Sequence, residues 1–553
     1  MFRKSLIAVS LAALASGAAY AAVTADEAKQ IGTSLTAVGA EKAGNKDGTI
    51  PEYTGGLKEI PAGFKKGSGI RPSPFESEKP RMTIGAKDAA ANADKLTEGT
   101  KELLKRYPNT FRLDVYPTHR VVALPSKVLA NTAKNAVTTK SVNNGLGVEG
   151  MLPGVPFPIP KSGFEAMWNH LVRYTGVAYN VKYENWNVDS AGVASLATSG
   201  NLTNEFPLYD PKRTDTVAKE NDPYFKVKLF YTGPARRAGE ALMAIDSVNP
   251  IVQPRRAWQY LPGQRRVKLA PDLSYDTPNS GTAGNSTYSD AFVFNGAMDR
   301  FDFKLVGKKE MYVPYSGYKL MYAKDLKPAL TPNHVNPEFQ RWELHRVWVV
   351  EGTLKPGQRD LYSKRVFYLD EDSWVALAAD QYDAKGNLYR STFANMGVKV
   401  ATLPVIALGV GIGVDYALYL LSVQLAQQRK GLPLTEAYKN AVQFTGKVVA
   451  LVGVTLAAGV ITWAWSPIKF QADMRCHCRK QGRPTTRSCS SSNATRDGGR
   501  NLFHQSQWPR RSCTACRARP RANRSDRRFP RSFTNGRTVC PRYFLISAIA
   551  SRP

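Results

Sequence analysis

The sequence predicts an α+β fold built on one large curved antiparallel sheet, and three observations predict it. From Tyr224 to about Phe393 the chain breaks into short segments rich in Val, Tyr, Trp and Phe, several of which alternate apolar with polar residues. That is the pattern of strands with one buried face. The connections carry turn chemistry, as in Pro262-Gly263, Lys385-Gly386-Asn387 and the Ser/Gly/Asn run from Asn279 to Ser289. Such short links favour antiparallel neighbours, because parallel strands need a long return. Upstream of the strands stand two helical signals.

Taken in order, the chain begins with a targeting pattern over residues 1–21. Arg3 and Lys4 form a basic start, Leu6 to Ala15 an apolar stretch, and Ala19-Tyr20-Ala21 a cleavage site of small residues. Export is the expectation, with the mature chain starting near Ala22 and no cysteine at that point to carry a lipid anchor. Residues 22–95 are rich in Gly, Pro, Lys and Ala and read as an ordered but irregular N-terminal arm, or a linker.

The main domain is expected over 96–395. A short helix is predicted over Lys95–Tyr107, where Leu96, Leu103 and Leu104 share a face, followed by strand-like FRLDVYP and RVVALP. A second helix is marked by Ser162 and Glu165 at capping-box spacing, then by Phe164, Trp168, Leu171 and Val172 at helical intervals. His170 on that helix is assigned no role. The strand candidates that follow are YFKVKLFYT, RRAWQYLP, RRVKLA, GYKLMY, RWELHRVWVV, KRVFYLD, SWVALAADQYD and NLYRSTF.

A seam follows near Phe393–Met396. Val400–Val423 and Val448–Ser466 are apolar enough for two membrane spans, so 396–474 reads as a transmembrane hairpin. The loop between them carries Arg429, Lys430, Lys439 and Lys447 against Glu436, which places it in the cytoplasm and the upstream domain outside. Gly409 and Gly413 suit close helix packing. Asp415, near the middle of the first span, is costly to insert and therefore faces a partner or a water path.

The last segment, 475–553, has a different composition. Of the formal charge of +31, this stretch carries +17, with 18 Arg to one Lys, and it holds all six cysteines. Cys476, Cys478, Cys513 and Cys516 lack the usual zinc-finger spacing, so no metal is expected. Few aliphatic residues are present, so disorder is the expectation. A shift of reading frame after Met474 would account for the change. Nucleic acid is disfavoured as a partner because the domain is exported.

Several stretches carry a family resemblance. GAEKAGNKDGTIPEYTGGL from Gly39, KLFYTGPARRAGEALMAIDSVNP, RRAWQYLPGQRRVKLAPDLSYDTP and HRVWVVEGTLKPGQRDLYSKRVFYLDEDSW resemble the bacterial exported family called domain of unknown function 1329. The resemblance covers about 22–395. It implies a fold related to the lipoprotein carriers (LolA/LolB-like), an incomplete antiparallel barrel wrapped on helices with an apolar cavity for acyl chains. GVGIGVDYALYLLS and the next span resemble the proton-relay helices of resistance-nodulation-division (RND) exporters of the MmpL-like branch. That resemblance implies Asp415 and Tyr416 as relay residues, inactive in a chain that lacks the partner helices.

No nucleophile, zinc-protease, phosphate-loop or redox motif occurs before residue 475, so no enzyme activity and no cofactor are expected. In a half-barrel, residues at i and i+2 line one surface. Trp258 with Tyr260, and Trp342 with Leu344 and Trp348, form such sets and are the candidate cavity lining, although an ordinary core would use the same aromatics. Asp370-Glu371-Asp372 reads as a solvated turn. In each of Arg236-Arg237, Arg255-Arg256 and Arg265-Arg266, at most one side chain can reach a common patch. That patch would meet lipid phosphates, or simply discourage edge pairing.

The expected function is a periplasmic, non-enzymatic binding or carrier domain for lipid-like molecules, attached to the inner membrane through a truncated exporter hairpin. The alternatives are an accessory subunit of an RND-type exporter, or an envelope or outer-membrane assembly protein.

Overall fold

The computed structural model describes residues 23–395, except 66, 67, 69, 190, 214, 215 and 272, together with 543–544. In chain order the strands are β1 (Met82–Ile84), β2 (Leu113–Val115), β3 (Lys140–Val142), β4 (Gly147–Glu149), β5 (Ala178–Val188), β6 (Ala194–Glu205), β7 (Pro223–Gly233), β8 (Ala241–Ser247), β9 (Arg256–Leu261), β10 (Arg266–Leu269), β11 (Phe301–Pro314), β12 (Trp342–Leu354), β13 (Lys364–Asp370), β14 (Ala376–Tyr382) and β15 (Leu388–Phe393). The α+β class stands, but the chain builds two large sheets where one was expected.

The first sheet is an antiparallel meander from β5 to β10 in which each strand pairs with the next, extended in parallel at β5 by Tyr543–Phe544. The second runs β1-β2-β12-β13-β14-β15, with β11 also paired to β12 along its length. The break falls between Leu269 and Phe301. That stretch forms 3-10 turns at Ser280–Thr282 and Tyr288–Asp290 in place of a strand, and so separates the two meanders. β1, β3, β4, β5, β6, β8 and β11 add to the strands expected, whereas GYKLMY forms a single helical turn, α4 (Tyr318–Met321), and RVVALP is irregular.

Three longer helices precede the sheets' main run. α1 (Glu98–Arg106) lies within the expected span; the Thr97 hydroxyl caps it by accepting from the Thr100 N–H at 3.1 Å. α3 (Gly163–Leu171) is capped by Ser162, which accepts from Glu165 N–H, while the Glu165 carboxylate reaches back to Lys161 N–H. Every residue of α3 is buried.

α2 (Ser126–Thr138) was not foreseen, although it is the longest described helix. Its buried face carries Asn131, Thr132 and Asn135 beside Val128 and Ala136. Asn135 donates to the Leu152 and Val155 carbonyls and accepts from Leu152 N–H, and Thr132 accepts from Val155 N–H. A helix that buries amides against a loop shows no apolar period.

The N-terminal arm is no loose linker. Val38, Ala40 and Ile50 are buried, and the Trp374 indole donates to the Val38 carbonyl at 3.0 Å. Gly39 has φ +86°, and a Cβ there would lie 1.7 Å from the Pro158 carbonyl oxygen, so only glycine fits. The largest apolar core joins both sheets around α3, with Phe164 and Trp168 among Val227 and Leu242 of the first and Phe303, Val350 and Phe367 of the second.

Among the described residues no helix is long and apolar enough to cross a membrane. The targeting pattern of 1–21, the hairpin of 396–474 and all but two residues of the tail lie outside the described residues.

Candidate functional site

The first sheet presents a single apolar row on one face. Val181 on β5 pairs with Leu202 on β6, Leu202 with Leu229 on β7, and Leu229 with Leu242 on β8. All four side chains line a cavity of about 280 Å³. On one side of the row Tyr183 and Tyr231 flank Gly200, and on the other Val227 sits opposite Ala244. A Cβ at Gly200 would come 2.4 Å from the Phe230 carbonyl and 3.1 Å from the Tyr183 ring, so its absence leaves room where the two tyrosines converge.

The opposite wall comes from the segment between the sheets and from the second sheet's end. Leu273, Tyr288, Phe292, Val293, Met321 and Phe393 close the space. Phe292 and Val293 both adopt positive φ, 56° and 72°. A β-branched residue in that region is a genuine outlier costing about 1–3 kcal/mol, held only where the surroundings over-determine it.

Two contacts over-determine this wall. Arg255 forms a buried bidentate pair with Asp246, at 2.6 and 2.7 Å, and donates onward to the Asn295 carbonyl and side chain and to the Leu273 carbonyl. His170 accepts from Ala376 N–H at Nδ1, which leaves Nε2–H to donate to the Phe294 carbonyl at 3.0 Å. Burial pushes the His170 pKa down to about 3, with Arg173 nearby adding to the effect. The ring is therefore neutral, and its two hydrogen bonds tie α3 to the wall and to β14.

None of the five residues expected to line a cavity lines this one. Trp258 and Tyr260 do share a face, but Trp258 pairs with Met243 and Tyr260 with Ala241, out of phase with the cavity-facing Leu242 and Ala244. They stand on the sheet's outer surface. Trp342 and Leu344 are core, packed with Ile84, Leu104, Phe111 and Tyr312; Trp342 also borders a small cleft of about 80 Å³. Trp348 stacks on Trp374 with ring centroids 5.9 Å apart, and Lys308 lies over its ring. Asp415 and Tyr416 lie outside the described residues. The lining set was present in YFKVKLFYT, whose Phe225, Val227, Leu229 and Tyr231 recur at i+2 and all face the cavity. What the sequence lacks is a mark of which face is covered.

Asp370-Glu371-Asp372 is not a solvated turn. All three are buried. Asp372 takes both oxygens to Arg120 at 2.9 and 2.6 Å, and Glu371 meets Arg120, Arg346 and Lys308 at 3.2–3.3 Å. Asp370 accepts from Tyr315 and Ser373, and its pKa is pushed up to about 6 by burial and by the charge of Asp372. His345 stacks on Tyr315 at 3.8 Å and lies 3.2 Å from Glu343. Burial opposes charge on His345, but Glu343, Asp370 and Asp372 outweigh it and raise the pKa. His345, Asp370 and Asp372 lie close enough together to suggest a cation site. With Arg120 already spanning both oxygens of Asp372, the charges close on one another instead. The Arg pairs divide only in part: Arg255 is largely covered and Arg256 exposed, Arg237 is half-buried and Arg236 exposed within a 3-10 turn, and Arg265 and Arg266 are both exposed.

Residues 83–434 match the family described as protein of unknown function (DUF1329). The chain belongs to that family. An uncharacterized protein of Pseudomonas aeruginosa is 42% identical over 374 residues, covering 67% of this chain and 81% of that protein. The DUF1329 match runs past the seam expected near residue 396, and the comparisons give the exporter resemblance of 396–474 no support. Among solved structures, a DUF1329 family protein from Desulfovibrio piger overlaps 40% of this chain and 71% of its own, at 17% identity and a TM-score of 0.26. A LolA superfamily protein from Nitrosomonas europaea overlaps 42% and 76%, at 12% identity and a TM-score of 0.24. Both overlaps are partial, and membership in DUF1329 rests on the sequence matches.

Proposed function

We propose that this DUF1329 domain is a non-enzymatic binding or carrier module for a lipid-like or hydrophobic molecule, working in the periplasm after export. The observation that carries the reading is the apolar row Val181–Leu202–Leu229–Leu242 opposed by Phe292, Val293 and Met321 across about 280 Å³. Concave, mostly apolar sites with a few placed polar groups are the usual form of a small-molecule site, typically about 300–1,000 Å³. Asn185, Asn279 and Asn295 supply polar groups at its margin. An acyl chain would lie along the row with its polar end toward these amides. The leucine side chains would gain by leaving water at about 25 cal/mol per Å².

Titrating the purified full chain with a fluorescent long-chain lipid tests the reading. Saturable uptake that unlabelled lipid displaces supports it. A flat titration, with the protein folded, sinks it.

A further inference from the structure

We propose that the outer face of β7–β10 is a docking surface for an anionic lipid bilayer. The proposal does not rest on the cavity, which uses the opposite face of the same strands. Register places six apolar side chains on this outer face in two adjoining rows. Phe230, Tyr260 and Val267 share one, through Ala241; Met243, Trp258 and Leu269 share the other. Val267 and Leu269 are each 64% exposed, Phe230 44% and Met243 40%. Single exposed apolar residues are ordinary, but a contiguous set rimmed by polar groups marks an interaction surface.

The charges around the set indicate what it meets. The same two rows and the rows that adjoin them on either side carry Lys182, Lys226, Lys228 and Arg256 against Glu205 and Glu184, and Glu184 already accepts from the Trp186 indole. Glu205 is already 3.5 Å from Lys226. The Arg256 guanidinium lies 5.9 Å from the Trp258 ring centre, so charge and aromatic face stand together. Trp and Tyr at the edge of an apolar patch, with long basic side chains whose stems run along it, fit the boundary between acyl chains and phosphates. Four basic side chains stand against two acids that are each already bonded, so the face is net positive, which suits anionic headgroups better than a protein surface of mixed charge. β10 is also an edge strand, exposed along its whole length, so nothing among the described residues covers this end of the sheet.

The stretches 400–423 and 448–466 are strongly apolar in sequence, so bulk association of the full chain with vesicles does not report on this face alone. Hydrogen–deuterium exchange followed peptide by peptide does. The full chain is mixed with vesicles of phosphatidylethanolamine and phosphatidylglycerol, or of phosphatidylcholine alone. The expected result is a severalfold slowing of exchange over 226–231 and 256–269 with the anionic vesicles only. High salt should reverse it, and the double variant V267E/L269E should lose it while keeping its melting temperature. Equal protection by both vesicle types, or none, overturns the proposal. Protection that grows with protein concentration in the absence of vesicles also overturns it, because the face then pairs with a second copy or an added strand.

Discussion

Leu202 on β6 and Leu229 on β7 lie directly opposite one another in register, and both side chains line the cavity. Replacing either with Trp fills the space from within. Overpacking costs about 1–3 kcal/mol, so Leu202→Trp and Leu229→Trp should stay folded yet bind a fluorescent lipid about tenfold more weakly, about 1.4 kcal/mol. Trp258→Ala, on the outer face, should leave that affinity unchanged. If Trp258→Ala weakens binding more than Leu229→Trp does, the face assignment is wrong.

Arg255 holds the cavity's far wall through Asp246 and Asn295. Removing one partner of a buried pair strands the other, at about 3–5 kcal/mol. Arg255→Met should therefore lower the melting temperature by several degrees and weaken lipid uptake with it. Arg256→Met, one residue away and exposed, should do neither.

His170 makes stability sensitive to acid. Its pKa lies near 3 in the fold against 6.5 unfolded, so the unfolded chain binds the proton more readily. The stabilisation is fully present above pH 6.5 and is lost as the pH falls toward 3. Linkage gives about 3 kcal/mol between pH 6.5 and 4. His170→Gln can still donate to Phe294 and accept from Ala376. It should cost about 1–3 kcal/mol at pH 7, while its stability falls less steeply than the parent's on acidification. Parallel slopes in urea melts at pH 7 and pH 4 would remove this account of His170.

Gly39→Ala forces a Cβ against the Pro158 carbonyl in a left-handed conformation. It should loosen the arm around Val38 and Ala40 at a cost of about 1–3 kcal/mol. Limited proteolysis within 23–60 should then run well ahead of cleavage in the sheets. An unchanged digestion pattern contradicts the close approach.

Much of the fold was legible because alternation and turn chemistry are local. β7, β9, β10, β12, β13, β14 and β15 fall on the segments that alternation marked. The rest depends on tertiary partners. α2 hides its helix by burying Asn131, Thr132 and Asn135 against a loop. Trp258 and Tyr260 could be paired from spacing, but which face the chain covers is decided by the segment from Leu273 to Asn295, far from them in sequence. The acids of Asp370-Glu371-Asp372 look solvated until Arg120, Lys308 and Arg346 arrive from other elements. The break into two sheets was missed because the stretch from 270 to 300 reads as an ordinary loop.

The most direct test of the central claim is solvent extraction of the purified full chain followed by mass spectrometry, with the double variant L202W/L229W prepared in parallel. The account predicts a lipid-like or other hydrophobic molecule in the parent, near one per chain, and its depletion in the folded variant. A parent that is consistently empty, or a variant that carries the same molecule in the same amount, would contradict it.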